Sequence, residues 1–389
     1  MKILITTDLF STDTNGVVTS VKNLYSELKS RGHDVRILTV SSSPHSYRKV
    51  DVTYIRSLSL EWVYPNVRMP ISYHHKFIKE LIEWSPDVIH SQCEFFSFRF
   101  ARHISKKTRA PIIHTYHTMY DDYVNYVIPG KRLGKDIVHR FIKTSLKHVS
   151  TIVAPTHKVK QALLDYGVST PISVIPTGID LDQHQQSISE EEIAAKRHEL
   201  GLSATDTVLL NLGRLGFEKN VGELLELFAA ALRDNEGLKF LIVGDGPAKA
   251  SLEEQAEALG ISQSTIFTGM VPPQKVQNYY KISNIFVSAS TSETQGLTYI
   301  EAAACALPLL CRADPCLTDI IVSGENGYEY NNKEEFLSYL NHISKDTEWR
   351  VSAAEKSREI SSNFSKKIFG ERVEKLYIST LGGKIEKNI

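Results

Sequence analysis

The sequence predicts an α/β protein built from two doubly wound domains in tandem, each a parallel sheet flanked by helices, with their strand ends facing a shared cleft. Three observations carry this. The 389 residues exceed one ordinary domain of ~100–200 residues and suit two, each large enough to bury its own core. Short β-rich runs alternate with helical patterns, as right-handed βαβ units require. The alternation stops at a polar stretch, 181–200, and then starts again.

In the first half, strands are expected at 2–7, 34–40, 52–55, 87–90, 111–115, 151–154 and 172–175, with helices at 18–31, 72–84, 94–107, 131–148 and 157–166. The stretch 181–200 is rich in Gln, Ser and Glu, supports no core of its own and leads into the second domain. There the strands are expected near 207–212, 239–243, 265–268, 285–288 and 308–310, with helices at 220–233, 247–259, 273–281 and 299–305. The last helical pattern, 365–377, is long enough to pack back across the first domain. The domains are therefore 1–180 and 181–364, with 365–389 as the returning segment. Open α/β sheets bind ligands outside the carboxyl ends of their strands, which directs attention to the strand-to-helix turns.

Composition narrows the function classes. Equal numbers of basic and acidic residues, 45 each, give zero net charge and exclude an overall basic nucleic-acid binder. Cys93, Cys305, Cys311 and Cys316 contain no C-x-x-C pair, which disfavours a zinc knuckle or a thioredoxin-type site. They fit buried thiols in a reducing compartment. The opening apolar run is too short for a signal peptide, and no stretch approaches the ~20 apolar residues of a spanning helix. A cytoplasmic location is expected.

Zero net charge conceals an asymmetry. Residues 1–180 hold 24 basic and 15 acidic residues, a balance of +9, and the remainder balances at −9. A surface partner for the basic half follows. One basic cluster is Arg99, Arg102, Lys106, Lys107 and Arg109; the other is Lys131, Arg132, Lys135, Arg140, Lys143 and Lys147. In the second, Leu133, Ile137, Phe141 and Leu146 recur near helical spacing, so 131–148 reads as a cationic amphipathic helix. Such a helix suits an anionic membrane surface, and it equally suits a core-packed helix with a solvated outer face.

Four motifs sit at strand-to-helix turns, where helix N-termini collect phosphate. Thr14-Asn15-Gly16-Val17-Val18 follows the opening strand and is either a ligand loop or a plain βα turn. Gly213-Arg214-Leu215-Gly216-Phe217-Glu218-Lys219-Asn220 places two cations five residues apart, suited to neutralising a leaving diphosphate. Val243-Gly244-Asp245-Gly246-Pro247 lacks the three-glycine spacing of a dinucleotide fingerprint, which argues against a nicotinamide cofactor. In Ser292-Glu293-Thr294-Gln295-Gly296-Leu297-Thr298-Tyr299-Ile300-Glu301, two glutamates eight positions apart bracket a glycine turn into a helix. The amides of Gly296, Leu297 and Thr298 suit a diphosphate, and the two carboxylates suit sugar or ribose hydroxyls. In the first half, His114-Thr115-Tyr116-His117-Thr118 closes a strand; a histidine there is either functional or a hydrogen-bonded core residue.

The order Arg214, Lys219, Glu293, Glu301, together with the N-terminal glycine loop, Ile175-Pro176-Thr177-Gly178-Ile179-Asp180 and the VGDGP turn, resembles the retaining family 4 glycosyltransferases of GT-B fold over essentially the whole chain. The resemblance implies that Arg214 and Lys219 bind the nucleotide diphosphate, Glu301 the ribose and Glu293 the donor sugar. It places Thr268 and Gly269 near the uracil, Gly16 beside the diphosphate and His117 at the reaction centre, leaving His114 structural. The string from His114 to Tyr123 with Glu293-Thr294-Gln295-Gly296 is more specifically similar to bacterial diacylglycerol α-glucosyltransferases. That implies transfer of α-glucose from UDP-glucose to the 3-hydroxyl of 1,2-diacylglycerol, with the acceptor entering near Tyr120, Asp121, Asp122 and Tyr123. It also implies a peripheral enzyme on an anionic membrane, at the inner face of the cell membrane. Gln295 stands where many members carry an aromatic residue, which leaves the exact sugar open.

No cofactor and no metal are expected, because the donor is a substrate and Arg214 and Lys219 supply the positive charge. Asp180-Leu181-Asp182 spells a metal-binding triad of another glycosyltransferase fold, but falls in the interdomain connection. Retention usually means double displacement through a carboxylate; here front-face attack is expected, with the leaving diphosphate taking the acceptor's proton. The rivals are a family 4 transferase with another acceptor, such as a galactosyltransferase on a glycolipid, and a nucleotide-sugar epimerase or phosphorylase on the same scaffold.

Overall fold

The computed structural model describes residues 1–10, 15–60, 68–120 and 131–387. They form two compact units, Met1–Ile179 with Lys366–Ile389, and Asp180–Ser365.

The first unit holds β1 (Lys2–Thr6), α1 (Gly16–Ser30), β2 (Asp34–Ser41), β3 (Tyr47–Lys49), β4 (Val52–Ser59), β5 (Arg68–Pro70), α2 (Lys76–Trp84), β6 (Val88–Ser91), α3 (Phe96–Thr108), β7 (Ile112–Thr115), α4 (Lys131–Leu146), β8 (Thr151–Ala154), α5 (His157–Asp165) and β9 (Ile172–Val174). The sheet order is β3-β4-β2-β1-β6-β7-β8-β9, with β5 on β4. All pairs are parallel except β3 and β5 on β4. The central strands are apolar because helices cover both faces: Ile3, Leu4, Ile5, Val88, Ile89, Ile113, Ile152 and Val153 are all buried.

The second unit holds α6 (Leu181–Gln185), α7 (Glu190–Glu199), β10 (Thr207–Leu212), α8 (Val221–Leu232), β11 (Leu238–Val243), α9 (Lys249–Ala258), β12 (Thr265–Phe267), α10 (Val276–Lys281), β13 (Ile285–Ser288), α11 (Leu297–Ala304), β14 (Leu309–Arg312), β15 (Gly327–Tyr330), α12 (Lys333–Lys345) and α13 (Thr347–Ser362). Its six strands run parallel in the order β12-β11-β10-β13-β14-β15, the doubly wound arrangement whose order reverses between β10 and β13. The fold class is the expected one.

Several elements differ from expectation, and the short strands β3 and β5 were not expected at all. The stretch 181–200 is largely helical; α7 buries nothing, yet Ser189 and Glu192 form a capping box that starts it. Helix 273–281 opens with a 3₁₀ turn, Pro273–Lys275. Between 311 and 364, where no element was expected, lie β15, α12 and α13.

The closing helix, α14 (Lys366–Lys387), runs beyond its expected end and belongs to the first unit. Phe369, Val373 and Tyr377 complete the cluster formed by Ile3, Ile5, Val21, Leu24 and Leu28. Arg31 adds ion pairs to Glu371 and Glu374, both at 3.1 Å, and His33 reaches Glu374 at 2.7 Å. These half-exposed pairs contribute less than the burial of the three apolar side chains, each worth roughly 1.5–3 kcal/mol.

Candidate active site

In the second unit the turns after β10, β11 and β12 are tied together. Gly213 N–H donates to Val243 O at 2.9 Å, Leu215 N–H to Asp245 O at 2.9 Å, and Gly244 N–H to Gly269 O at 3.1 Å. The approach is close enough to demand glycine, since a Cβ on Gly244 would lie 1.8 Å from the Gly213 carbonyl oxygen. The VGDGP turn is thus a buttress for the cationic loop, and Thr268-Gly269 sits beside it.

On that loop, Arg214 pairs with Glu218 one helical turn on. Lys219, at the end of a single 3₁₀ turn, places Nζ 2.6 Å from Glu293 Oε1, with both side chains partly buried. Glu293 arrives on the loop after β13, the strand beside β10, so the switch point of the sheet brings the two motifs together. Neither expected cation stands alone: each meets a carboxylate, and Glu218 was not foreseen. The Lys219–Glu293 pair offers a cation for a phosphate oxygen and an acceptor for a hydroxyl within one contact.

Gly296 opens α11 with φ of +71°, and a Cβ there would strike the Tyr299 ring at 2.3 Å. Leu297 and Thr298 thus begin the helix, two residues before its expected start at 299. Glu301 Oε2 accepts from the Tyr280 hydroxyl at 2.8 Å, which orients it. Burial, with the Glu301 charge adding to it, pushes the Tyr280 hydroxyl well up, so it remains a donor.

The first unit gathers its polar groups at the ends of β1, β6 and β7, neighbours in the sheet. His114, fully buried, places Nε2 3.2 Å from Glu94 Oε1, and the Tyr120 hydroxyl donates to Glu94 Oε2 at 2.6 Å. Burial alone pushes the Glu94 carboxyl up, but the His114 hydrogen bond and charge, with Tyr120, hold it below the ordinary carboxylate range. His117, half-buried, donates from Nε2 to Gln92 Oε1 at 2.8 Å. Burial lowers its pKa to about 4; Glu94 pulls against that and His114 reinforces it. Asp8 Oδ1 accepts from Ser97 N–H at 2.6 Å at the start of α3. Burial raises the Asp8 carboxyl to about 6, opposed by the Ser97 bonds and assisted by the Glu94 charge. Behind them His90 joins Thr115 Oγ1 at 2.7 Å to the Tyr377 hydroxyl at 2.6 Å.

Gln92, Glu94 and Asp8 were not among the expected site residues. The only hint in the sequence is the spacing Gln92-Cys93-Glu94 just past a strand end, matching the position of His114 to His117. Gly16 is the first residue of α1, whose cap is Asn15, the side chain accepting from Val18 N–H at 2.8 Å.

In the cationic helix α4 the apolar positions read from the sequence divide between two faces. Val138, Ile142 and Leu146 pack on the core, whereas Ile137 and Phe141 are 55% and 41% exposed, beside exposed Arg140, Lys143 and Lys147. Lys135 is half-buried. Phe141 stacks on exposed Phe95 at 5.9 Å, and Phe95 meets the Tyr120 ring at 5.8 Å. Asp121, Asp122 and Tyr123 lie outside the described residues, as do the side chains of Lys131 and Arg132.

Residues 14–183 match the model of Glycosyltransferase Family 4, and residues 192–360 that of Glycosyl transferases group 1. The chain is 33% identical to an alpha-monoglucosyldiacylglycerol synthase of Streptococcus pneumoniae, over 98% of this chain and 86% of that one. It is 29% identical to an alpha-monoglucosyldiacylglycerol synthase of Acholeplasma laidlawii, over 98% of each. Among solved structures, Anabaena HepE in complex with UDP superposes with a TM-score of 0.76 at 17% identity, covering 97% of this chain and 100% of that one.

Proposed function

The chain belongs to the family 4 glycosyltransferases, and from that premise we propose that it moves α-glucose from UDP-glucose to the 3-hydroxyl of 1,2-diacylglycerol, with retention, at an anionic membrane surface. Glucosyl transfer to diacylglycerol rests on one observation, the near-full-length similarity to two synthases of that glycolipid. A UDP-sugar donor accords with the UDP held by a protein of the same fold.

The residues support a division of labour. Lys219 and Arg214 stabilise the charge on the departing UDP, and Glu293 accepts from a donor-sugar hydroxyl while paired to Lys219. Glu301, oriented by Tyr280, holds the ribose. His117 contacts the sugar as a neutral imidazole at physiological pH. The leaving diphosphate takes the acceptor's proton, and with Arg214 and Lys219 supplying its positive charge the reaction is expected to need no metal ion.

Among the described residues no helix is long and apolar enough to cross a membrane. The acceptor nevertheless resides in a bilayer. Exposed Phe95, Ile137 and Phe141 flanked by Arg140, Lys143 and Lys147 suit the interface of an anionic leaflet, where apolar burial and charge attraction add. In a cell that surface is the inner face of the cell membrane.

The test is UDP release by the purified chain on vesicles of diacylglycerol with anionic lipid, each UDP-sugar in turn, with EDTA and a no-acceptor control. Release with UDP-glucose that requires diacylglycerol and ignores EDTA is expected. Release without acceptor would favour an epimerase or hydrolase, and none on diacylglycerol would overturn the lipid acceptor.

A further inference from the structure

Two histidines three residues apart at the end of β7 meet chemically different partners at the end of β6. His114 faces the Glu94 carboxylate at 3.2 Å; His117 faces the Gln92 carboxamide at 2.8 Å. An amide oxygen only accepts, so His117 carries its ring proton on Nε2, and Nδ1 is the acceptor nitrogen. Gln92 is 1% exposed and its backbone is pinned by a 2.9 Å bond from its N–H to Thr6 O, so the carboxamide is held in place. Its Nε2 is buried without a hydrogen-bond partner among the described residues.

We propose that Gln92 is a positioning residue that holds His117 as the neutral, Nε2-protonated tautomer, and that the amide at position 92 keeps positive charge away from the sugar undergoing transfer. This rests on the reading of His117 as a contact to the donor sugar. The physical reason lies in the reaction: glycosyl transfer passes through an oxocarbenium-like transition state, and an imidazolium beside it opposes the developing positive charge. A carboxylate at position 92 would stabilise the imidazolium; an amide does not. The groups around His117 in the first unit do not all push one way. Glu94 favours its protonation, His114 opposes it, and burial decides for the neutral form. His90 lies behind, itself held neutral by burial, with the charges of His114 and His117 acting in the same direction. Asp8, Cys93 and Tyr120 interact with Glu94.

The test combines Gln92→Glu, Gln92→Met and His117→Ala with ¹⁵N spectra of the histidine-labelled full chain on diacylglycerol vesicles. In the wild type the His117 spectrum at pH 7 should show a protonated Nε2 and an unprotonated Nδ1, and kcat should show no limb from this group between pH 5.5 and 8. Gln92→Glu should bring in a new acidic limb with a midpoint near or above the ordinary histidine value of about 6.5, kcat falling roughly tenfold per pH unit below it. Gln92→Met should lose the tautomer preference and lower kcat about tenfold, with KM for UDP-glucose little changed. A wild-type His117 protonated on Nδ1 or on both nitrogens at pH 7 overturns the inference without any appeal to activity. An unchanged pH profile in folded Gln92→Glu, with His117→Ala inactive, overturns it while leaving the reading of His117 intact. Full turnover in His117→Ala overturns that reading itself, and with it the catalytic consequence assigned to Gln92.

Discussion

At the switch point of the second sheet, β10 and β13 end in Arg214, Glu218, Lys219 and Glu293, charged side chains on loops that reach solvent. At the corresponding place in the first sheet, β1, β6 and β7 end in Asp8, Gln92, Glu94, His114 and His117, most of them enclosed and bonded to one another. The same architecture thus carries two electrostatic designs. Paired charges on open loops can exchange a carboxylate partner for an incoming phosphate, whereas groups enclosed between strand ends have their protonation fixed before any ligand arrives. On the proposed reading, the first design serves the charged diphosphate of the donor and the second the uncharged sugar beside His117.

The contrast breaks most plainly on the charged side. Lys219→Ala or Glu293→Ala should lower turnover by about 10²–10³-fold, measured as UDP release, with vesicle binding intact and the melting temperature nearly unchanged. A variant that keeps its turnover would remove the basis for assigning the donor to the second unit.

On the enclosed side the expected effect is on stability and its pH dependence. Asp8 has a folded pKa raised to about 6 from 3.8, so its contribution is complete below 3.8 and is lost as the pH rises through 6. Asp8→Asn should therefore be more stable than the wild type at pH 7.5, by on the order of 3 kcal/mol, and nearly equal to it at pH 3.5. Urea melts at the two pH values check this, and a constant difference would show that Asp8 ionises freely.

Arg140→Gln with Lys143→Gln should weaken binding to anionic vesicles by roughly 2 kcal/mol at low salt, about 1 kcal/mol per cation, and by much less at 1 M salt. Sedimentation with vesicles reads this, and unchanged UDP affinity would confine the membrane surface to the first unit. The smallest effect is expected at Tyr377→Phe, where loss of the bond to His90 should cost about 1 kcal/mol in thermal melts.

What the sequence disclosed divides along the same line. Arg214, Lys219, Glu293 and Glu301 are legible because each stands in a glycine-marked turn between an apolar run and a helical pattern, all local signals. Asp8, Gln92 and Glu94 are not, because their meaning depends on β1, β6 and β7 being neighbours. Their partners are 20 to 89 positions away: His114 for Glu94, His117 for Gln92 and Ser97 for Asp8. The central strands were legible because burial on both faces leaves continuous apolar runs, whereas β3, β5 and β15, only partly buried or exposed, were not. Helix α7 was not, since with no buried residue it has no periodicity to read, although Ser189 and Glu192 spell its cap. For α4 the sequence left open whether its apolar positions meet a core or a membrane surface, and the structure divides them: Leu146 is buried, while Ile137 and Phe141 project outward.

Helix α14 gives the chain a constraint of timing. The sheet of the first unit is complete by Val174, but Phe369, Val373 and Tyr377 of its core are made only after the whole second unit. At ~5–20 residues per second on the ribosome, the apolar surface over Ile3, Ile5 and Leu24 stays uncovered for on the order of 10–40 s during synthesis. The nascent first unit therefore has reason to engage a chaperone, and the finished enzyme matures only when its last helix is released.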